Sequence, residues 1–469
     1  MPSKQKQPVI VRFAPSPTGM LHIGNVRTAL FNYLFAKKMG GKFLLRIEDT
    51  DKQRSTDAAV DTIFSGLKWL GLHHDGEAVF QSARIERHKE TAYKLLAMGR
   101  AYKCYATADE IEKLRVDSHE DNTKIYYPDR ETTRDLPHID ALDFVIRLKT
   151  PMTGETTIAD IIQGDVTIKH EQIDDFVLLR SDGTPTYMLA VVVDDIDMGV
   201  THIIRGDDHL INAFRQAVIY ESLGVKLPKF AHIPLIHGDD GAKLSKRHGA
   251  LSITDWQKMG YMPEMICNYL AGLGWNMGDQ EIFTLQQASA AFDLKNVNKS
   301  PSRLDFNKIN HLSGLYIRAL ESADLIKRLN QFLSETKGTK YPDSVLSQLI
   351  SVADLFKKRA NNFVELDNEL RFFVSMPDAD ESAKTLLNDD ANIQNLHKIY
   401  AVFEALNDWT SDTINNALKV FLTDNGLKMP QIGPVIRAAV AGRVSTPDIA
   451  PVLSALHKDI VLQRIKAVF

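Results

Sequence analysis

Between Val9 and Gly41 the chain carries a pattern that few folds can accommodate. Val9-Ile10-Val11-Arg12-Phe13 is a β-branched and aromatic run that reads as a buried strand. Pro15, Pro17 and Gly19 stop it and impose an extended, turned loop. Val26, Ala29, Leu30, Tyr33, Leu34 and Met39 then recur at helical spacing until Gly40-Gly41 closes the helix, and Phe43-Leu44-Leu45-Arg46-Ile47 reads as a second strand. Strand, helix and strand within about forty residues predict a βαβ unit, hence a parallel sheet whose ligands lie beyond the carboxyl ends of its strands. That geometry gathers the loop Ala14 to Asn25 and the acids Glu48, Asp49 and Asp51 at one edge.

Two later runs look like further strands of the same sheet: Tyr187 to Val193, ending in Asp194-Asp195, and His202 to Arg205, ending in Gly206-Asp207-Asp208. The stretch 82–186 between the halves mixes short helix and strand signals with Pro and Gly turns, and reads as an inserted domain. Beyond about residue 320 the periodicity becomes helical throughout. Val345, Leu346, Leu349, Val352, Ala353 and Phe356 share one face, introduced by Asp343 and Ser344 as caps. Ile414, Ala417, Leu418, Phe421 and Leu422 share another, with Ser411 as the cap and Asn425-Gly426 as the stop.

A chain of 469 residues exceeds one ordinary core, and 44% hydrophobic with 25% charged residues suits a soluble multidomain protein. It has no apolar run of about 18 residues, and its first residues lack the apolar core of a signal peptide, so a cytoplasmic protein without a membrane partner is expected. Cys104 and Cys267 are too few for a disulfide framework or a four-cysteine zinc site. A net charge of −4 argues against indiscriminate nucleic-acid binding and leaves a local basic face open.

Two segments carry chemistry. Pro15-Ser16-Pro17-Thr18-Gly19-Met20-Leu21-His22-Ile23-Gly24-Asn25 joins a strand to a helix start, where unpaired N–H groups and the helix dipole favour phosphate. Gly24 lets a planar base approach the backbone, and His22 can donate to phosphate oxygens as charge grows on them. Lys243-Leu244-Ser245-Lys246-Arg247-His248-Gly249 sets three cations beside glycines, a composition suited to neutralising a leaving pyrophosphate. Singly, the first is also what a tight turn with a surface histidine looks like, and the second what a solvated basic loop looks like.

In order and placement, His22-Ile23-Gly24-Asn25 and Lys243-Leu244-Ser245-Lys246-Arg247 resemble the two signatures of class I aminoacyl-tRNA synthetases. Arg12 to Asn25, Arg46-Ile47-Glu48-Asp49-Thr50-Asp51 and Arg205-Gly206-Asp207-Asp208-His209 resemble the glutamate-specific, bacterial-type branch of that class. The resemblance implies an α/β Rossmann-like catalytic domain with an α+β insertion, followed by an all-α C-terminal tRNA-binding region. Its expected parts are a catalytic first half over 1–81, an acceptor-stem-binding insertion over 82–186, a catalytic second half over 187–255, a stem-contact domain over 256–325 and an anticodon-binding region over 326–469.

The implied activity is ATP-dependent ligation of L-glutamate to tRNA(Glu) through an enzyme-bound adenylate, with Mg²⁺, and activation of the amino acid requires bound tRNA. Carried over residue by residue, His22, Lys243 and Lys246 are catalytic, while Gly24, Asn25, Asp208, Leu244, Ser245, Lys246 and Arg247 bind ATP. Arg12, Ala14, Ser16, Glu48, Tyr187 and Arg205 form the glutamate pocket. Chemistry agrees: a dicarboxylate wants guanidinium partners, and its ammonium wants an acid such as Glu48. Lys358 and Arg359 are anticodon-region candidates. The family precedent is a monomer without a DNA partner, and tRNA(Gln) is a second possible tRNA.

The chain departs from the pattern at Val191, where several members carry Asn, and at Cys104, which retains one cysteine of the pair that zinc-binding members use. Zinc is therefore not expected. A nucleotidylyltransferase that never touches RNA, or a non-catalytic synthetase copy that binds tRNA or a protein, remains a rival reading. The helical last third speaks against the first and the signature residues against the second. Replacing His22 or Lys246 with Ala is expected to slow adenylate formation by orders of magnitude while the fold survives, as pyrophosphate exchange in the presence of tRNA would read. Near-normal rates would remove the assignment.

Overall fold

A computed structural model of the chain describes residues 8–51, 54–121, 124–238, 241 and 251–469. The lysine-rich segment 243–247 lies outside them. The chain begins with β1 (Ile10–Phe13), α1 (Ile23–Lys38) and β2 (Lys42–Ile47), and β1 pairs with β2 in parallel, Arg12 opposite Leu44. Gly41 is required at the joint: a Cβ there would lie 2.1 Å from the Val9 carbonyl oxygen, which accepts the Lys42 N–H at 2.8 Å. After α2 (Asp57–Trp69), β3 (Val79–Phe80) adds to β2 in parallel.

The inserted segment supplies α3 (Ile85–Ala97), β4 (Ala101–Cys104), α4 (Ala108–Asp121), β5 (Val145–Leu148), β6 (Glu155–Asp160), β7 (Gly164–Lys169) and β8 (Val177–Leu179). Strands β4, β5 and β8 make an antiparallel sheet, and β6 with β7 forms a hairpin. Then follow α5 (Tyr187–Asp197), β9 (His202–Gly206), α6 (Leu210–Ser222) and β10 (Lys229–Ile233). β10 pairs in parallel with β9 and also with β6, so the hairpin of the insertion extends the sheet in the order β7-β6-β10-β9. The insertion also shares a core with this half, through Leu95, Ile146, Leu179, Leu189, Phe214 and Phe230.

The expected strand at Tyr187 to Val193 is a helix instead. Residues 189–195 of α5 are buried one after another, so no period distinguishes helix from strand, and the three valines Val191, Val192 and Val193 bias a local reading towards strand. Packing against α3, β8 and α6 buries the whole circumference and decides the matter.

The β1-β2-β3 sheet and the β9-β10-β6-β7 sheet meet where β1 lies beside β9. The Thr201 N–H donates to the Ile10 carbonyl and the Ile10 N–H to Thr201 Oγ1, each at 2.9 Å. From that seam successive strands are laid down in opposite directions, β1 to β2 and β9 to β10. A reversal of this kind opens a crevice at the carboxyl ends of the two seam strands.

The chain divides into two compact units, Met1–Thr254 with Ile266–Asp305, and Asp255–Met265 with Phe306–Phe469. Within the second, nine α-helices run from Ser322–Lys337 to Lys458–Lys466 with no strand between them among the described residues. Helix Asp343–Phe356 is introduced by Pro342 at the cap position, with Asp343 as its first residue. Helix Ser411–Asp424 is capped by Thr410, whose hydroxyl accepts from the Thr413 N–H at 3.3 Å. Both helices therefore start one residue from the sequence expectation, because neighbouring residues compete for the cap. Phe356, Phe372 and Phe373 pack at the centre of the bundle, the last two with ring centroids 4.5 Å apart. Among the described residues no helix is long and apolar enough to cross a membrane.

Candidate active site

The seam is held by buried charge. Arg12, on β1, donates from Nε and Nη2 to the two oxygens of Asp195 on α5, at 3.1 and 3.3 Å. Arg46, wholly buried on β2, donates from Nη1 to the same carboxylate and from Nη2 to Glu48 at 3.0 Å. Burial opposes the Asp195 charge, and the guanidiniums of Arg12 and Arg46 overcome it, holding this carboxyl below the usual range. At Glu48 burial wins over the same two arginines, and its carboxyl is held above the usual range. The neighbouring Asp194 faces the insertion and accepts from Gln81 at 2.9 Å, Arg84 at 2.6 Å and the His88 ring at 2.8 Å.

Three helices start at the crevice. His22 is the N-cap of α1, its Nδ1 accepting the Asn25 N–H at 3.4 Å, which leaves Nε2 to carry the proton. A Cβ on Gly24 would stand 3.1 Å from the His22 ring, so glycine keeps that approach open. Helices α5 and α6 begin side by side, with the rings of Tyr187 and His209 6.2 Å apart. Exposed N–H groups and helix dipoles converge there, a field that favours anions. The backbone of His22 forms an antiparallel bridge with Ser252, and the Ile253 N–H donates to the Leu21 carbonyl at 2.9 Å. The described chain that follows the lysine-rich segment therefore resumes beside His22.

These elements enclose a cavity of about 330 Å³. Every expected site residue that is described in the catalytic half lines it: Arg12, Ala14, Ser16, Glu48, Tyr187 and Arg205, together with His22, Gly24, Asn25 and Asp208. Lys243, Leu244, Ser245, Lys246 and Arg247 lie outside the described residues. Val191 is buried inside α5 and is not among the cavity's lining residues. In the second unit Lys358 is exposed, and Arg359 donates to Glu369 at 2.8 Å and to Ser445 at 3.3 Å.

Residues 8–311 match the family model of the catalytic domain of class I tRNA synthetases (E and Q), and residues 324–469 match an anticodon binding domain. The chain belongs to the class I tRNA synthetases of the E and Q type. It is 48% identical over 467 residues to glutamate–tRNA ligase 2 of Brucella ovis, covering 98% of each chain. It is 47% identical over 460 residues to the enzyme of the same name from Rhodospirillum centenum, covering 97% of this chain and 98% of that one. Its fold is similar to the crystal structure of a glutamate tRNA ligase from Elizabethkingia meningosepticum in complex with its amino acid, with a TM-score of 0.85, 30% identity, and coverage of 98% and 99% of the two chains.

In this class I synthetase the polarity of the cavity is uneven. Arg205 leaves β9 almost fully buried and donates from Nη2 to the His209 carbonyl at 3.2 Å, while its Nη1 has no protein partner. A buried guanidinium donor left without a partner is costly unless an anion completes it. Tyr187 sits beside it, its phenol pushed up to about 12 by burial and then by the charge of Glu48, so it stays a neutral hydrogen-bonding group. Arg46, Asp194 and Asp195 were not singled out as site residues by sequence reasoning. The signals for them in the sequence are the acidic pair that closes an apolar run and, for Arg46, its place at the head of the stretch Arg46 to Asp51.

Removing the Asp195 carboxylate by Asp195→Ala leaves two buried guanidiniums without their shared partner, a loss of about 3–5 kcal/mol. Because the folded-state pKa is lowered, this stabilisation is present above the unfolded carboxyl pKa and disappears as pH falls through the folded one. Urea unfolding is expected to show the full difference near neutral pH and a shrinking one on acidification. A neutral-pH difference below about 1 kcal/mol would contradict the buried frame.

Proposed function

We propose that the chain ligates L-glutamate to tRNA(Glu) in two steps within this cavity. An α-carboxylate oxygen of glutamate attacks the α-phosphorus of ATP, and the bond to the departing diphosphate breaks. A terminal ribose hydroxyl of the tRNA then attacks the adenylate carbonyl, and AMP leaves. The observation that carries the reading is the unpartnered Nη1 of Arg205 beside Glu48 and Tyr187, a cation and an anion set for an amino acid with a second carboxylate.

In this reading Arg205 takes the side-chain carboxylate and Glu48 the ammonium. Arg12, whose Nη1 stays outside its pair with Asp195, completes the pocket with Ala14 and Ser16. The proton on His22 Nε2 meets the α-phosphate as charge builds there, and the N-terminus of α1 at Gly24 and Asn25, with Asp208, receives ATP. Lys243, Lys246 and Arg247 neutralise the diphosphate, and Leu244 and Ser245 contact ATP. Mg²⁺ arrives as the ATP complex, where phosphate oxygens would hold the ion.

The helices of residues 326–469 receive the anticodon arm, with Lys358 and Arg359 in the turn that follows the helix Asp343–Phe356. The family match to an anticodon binding domain supports this placement. The domain boundaries at 82, 187, 256 and 326, a monomeric cytoplasmic enzyme, and charging of tRNA(Gln) beside tRNA(Glu) belong to the same proposal.

Diphosphate release in the presence of glutamate, ATP and total tRNA, with each omitted in turn, tests the reading. Release only with all three is expected, and release without tRNA or amino acid would instead indicate a nucleotidylyltransferase. The raised carboxyl of Glu48 adds a second test, because it takes up its proton at a higher pH than an ordinary glutamate and then no longer pairs with the ammonium. KM for glutamate is expected to rise on mild acidification in the native enzyme, and Glu48→Gln to show a high KM that no longer follows pH. An unchanged profile in the variant would remove Glu48 from the ammonium site.

A further inference from the structure

Arg205 owes its direction to two residues that do not line the cavity. In the parallel pairing of β9 with β10 it lies opposite His232, and its Nε donates to His232 Nε2 at 3.2 Å. His232 is fully buried, and its Nδ1 stands 2.6 Å from Oδ2 of Asp160, the last residue of β6. Asp160 is itself 5% exposed and also accepts the His232 N–H from both oxygens at 3.1 Å, the Ile162 N–H at 2.9 Å and the Gln163 N–H at 2.8 Å. A carboxylate with this many donors is an acceptor only. It therefore fixes the proton of the neutral imidazole on Nδ1 and leaves Nε2 bare to receive Arg205. Burial lowers the His232 pKa even though Asp160 pulls it back up, which keeps the ring neutral near pH 7.

We infer that Asp160 and His232 are positioning residues for amino-acid selection: the hairpin of the inserted segment sets the histidine tautomer, and the histidine aims Arg205 at the side-chain carboxylate. The chain of contacts accounts for the posture of Arg205, a lining residue of the cavity, with Nε and Nη2 committed to protein acceptors and Nη1 left unpartnered. It also gives the β6–β7 hairpin a task in the catalytic half, since β6 joins the sheet through the pairing of Asp160 with Phe230, two residues before His232. This inference rests on the reading of Arg205 as the carboxylate-binding residue.

Asp160→Asn is the sharpest variant. Its amide can donate to Nδ1, which moves the ring proton to Nε2 and sets two donors, His232 and Arg205, against each other. KM for glutamate in tRNA-dependent diphosphate exchange is expected to rise about 10–100-fold, with kcat and KM for ATP within about twofold of the native enzyme. His232→Gln retains an acceptor for Arg205 and is expected to keep more of the glutamate affinity than His232→Leu, whereas a merely structural role would order the three variants by thermal stability and lower kcat alongside. Arg205→Ala separates the two levels of the argument. If it leaves KM for glutamate unchanged, the reading of Arg205 fails and this inference with it. If it raises KM while folded Asp160→Asn and His232→Leu do not, Arg205 stands and the positioning role is overturned. Should Asp160→Asn not fold, the comparison of Gln with Leu at 232 decides.

Discussion

One carboxylate sets the geometry of the site. Asp195 receives Arg12 from β1 and Arg46 from β2 while standing on α5, so it ties together three elements that the chain makes far apart. Buried ion clusters of this kind contribute little net stability compared with apolar packing, yet they collapse if one member is lost. Their value is geometric: two strand ends and a helix can meet in one arrangement only if all the charges are to be paired. Asp194, the preceding residue, does the same for the start of the insertion through Gln81, Arg84 and His88. Adjacent acids on one helix thus register both the seam and the inserted segment.

The electrostatics of the cavity follow from that frame. Arg46 and Asp195 neutralise each other out of reach of solvent, while Arg12, Arg205 and Glu48 are presented to the cavity under three helix N-termini. The cations and dipoles outweigh Glu48, whose own carboxyl is destabilised by burial. Such a pocket suits a ligand with more negative than positive charge, and it suits the phosphates of a nucleotide at the α1 end equally well. Substrate and cofactor chemistry are served by the same feature of the fold, the reversal of strand order at β1 and β9.

The first strand, the loop and α1 are legible in the sequence because hydrophobic period and turn residues change together there. The residues lining the cavity follow from the family resemblance, and they fall at or beyond the ends of β1, β2 and β9 and at the starts of α1 and α5. Helix α5 is not legible: seven consecutive buried residues erase the period that would reveal it, and three valines point the wrong way. The frame is hidden for another reason. Arg12 and Arg46 meet Asp195 across 183 and 149 residues, and no local pattern encodes such a partner. Asp160 and His232, 72 residues apart, are hidden likewise. The helical last third is plain from its periodicity, although its starts shift by one residue where Pro342 and Thr410 take the cap position.

The central proposal is that Arg205, held by His232 and the His209 carbonyl, receives the side-chain carboxylate, and the neutral isostere of glutamate probes it most directly. Charging of total tRNA with equal concentrations of glutamate and glutamine, followed by hydrolysis and identification of the amino acid released, measures the choice. The account predicts glutamate on tRNA in excess of glutamine by at least about a hundredfold, because glutamine leaves the guanidinium without its charge partner. Comparable amounts of the two amino acids on tRNA would contradict it.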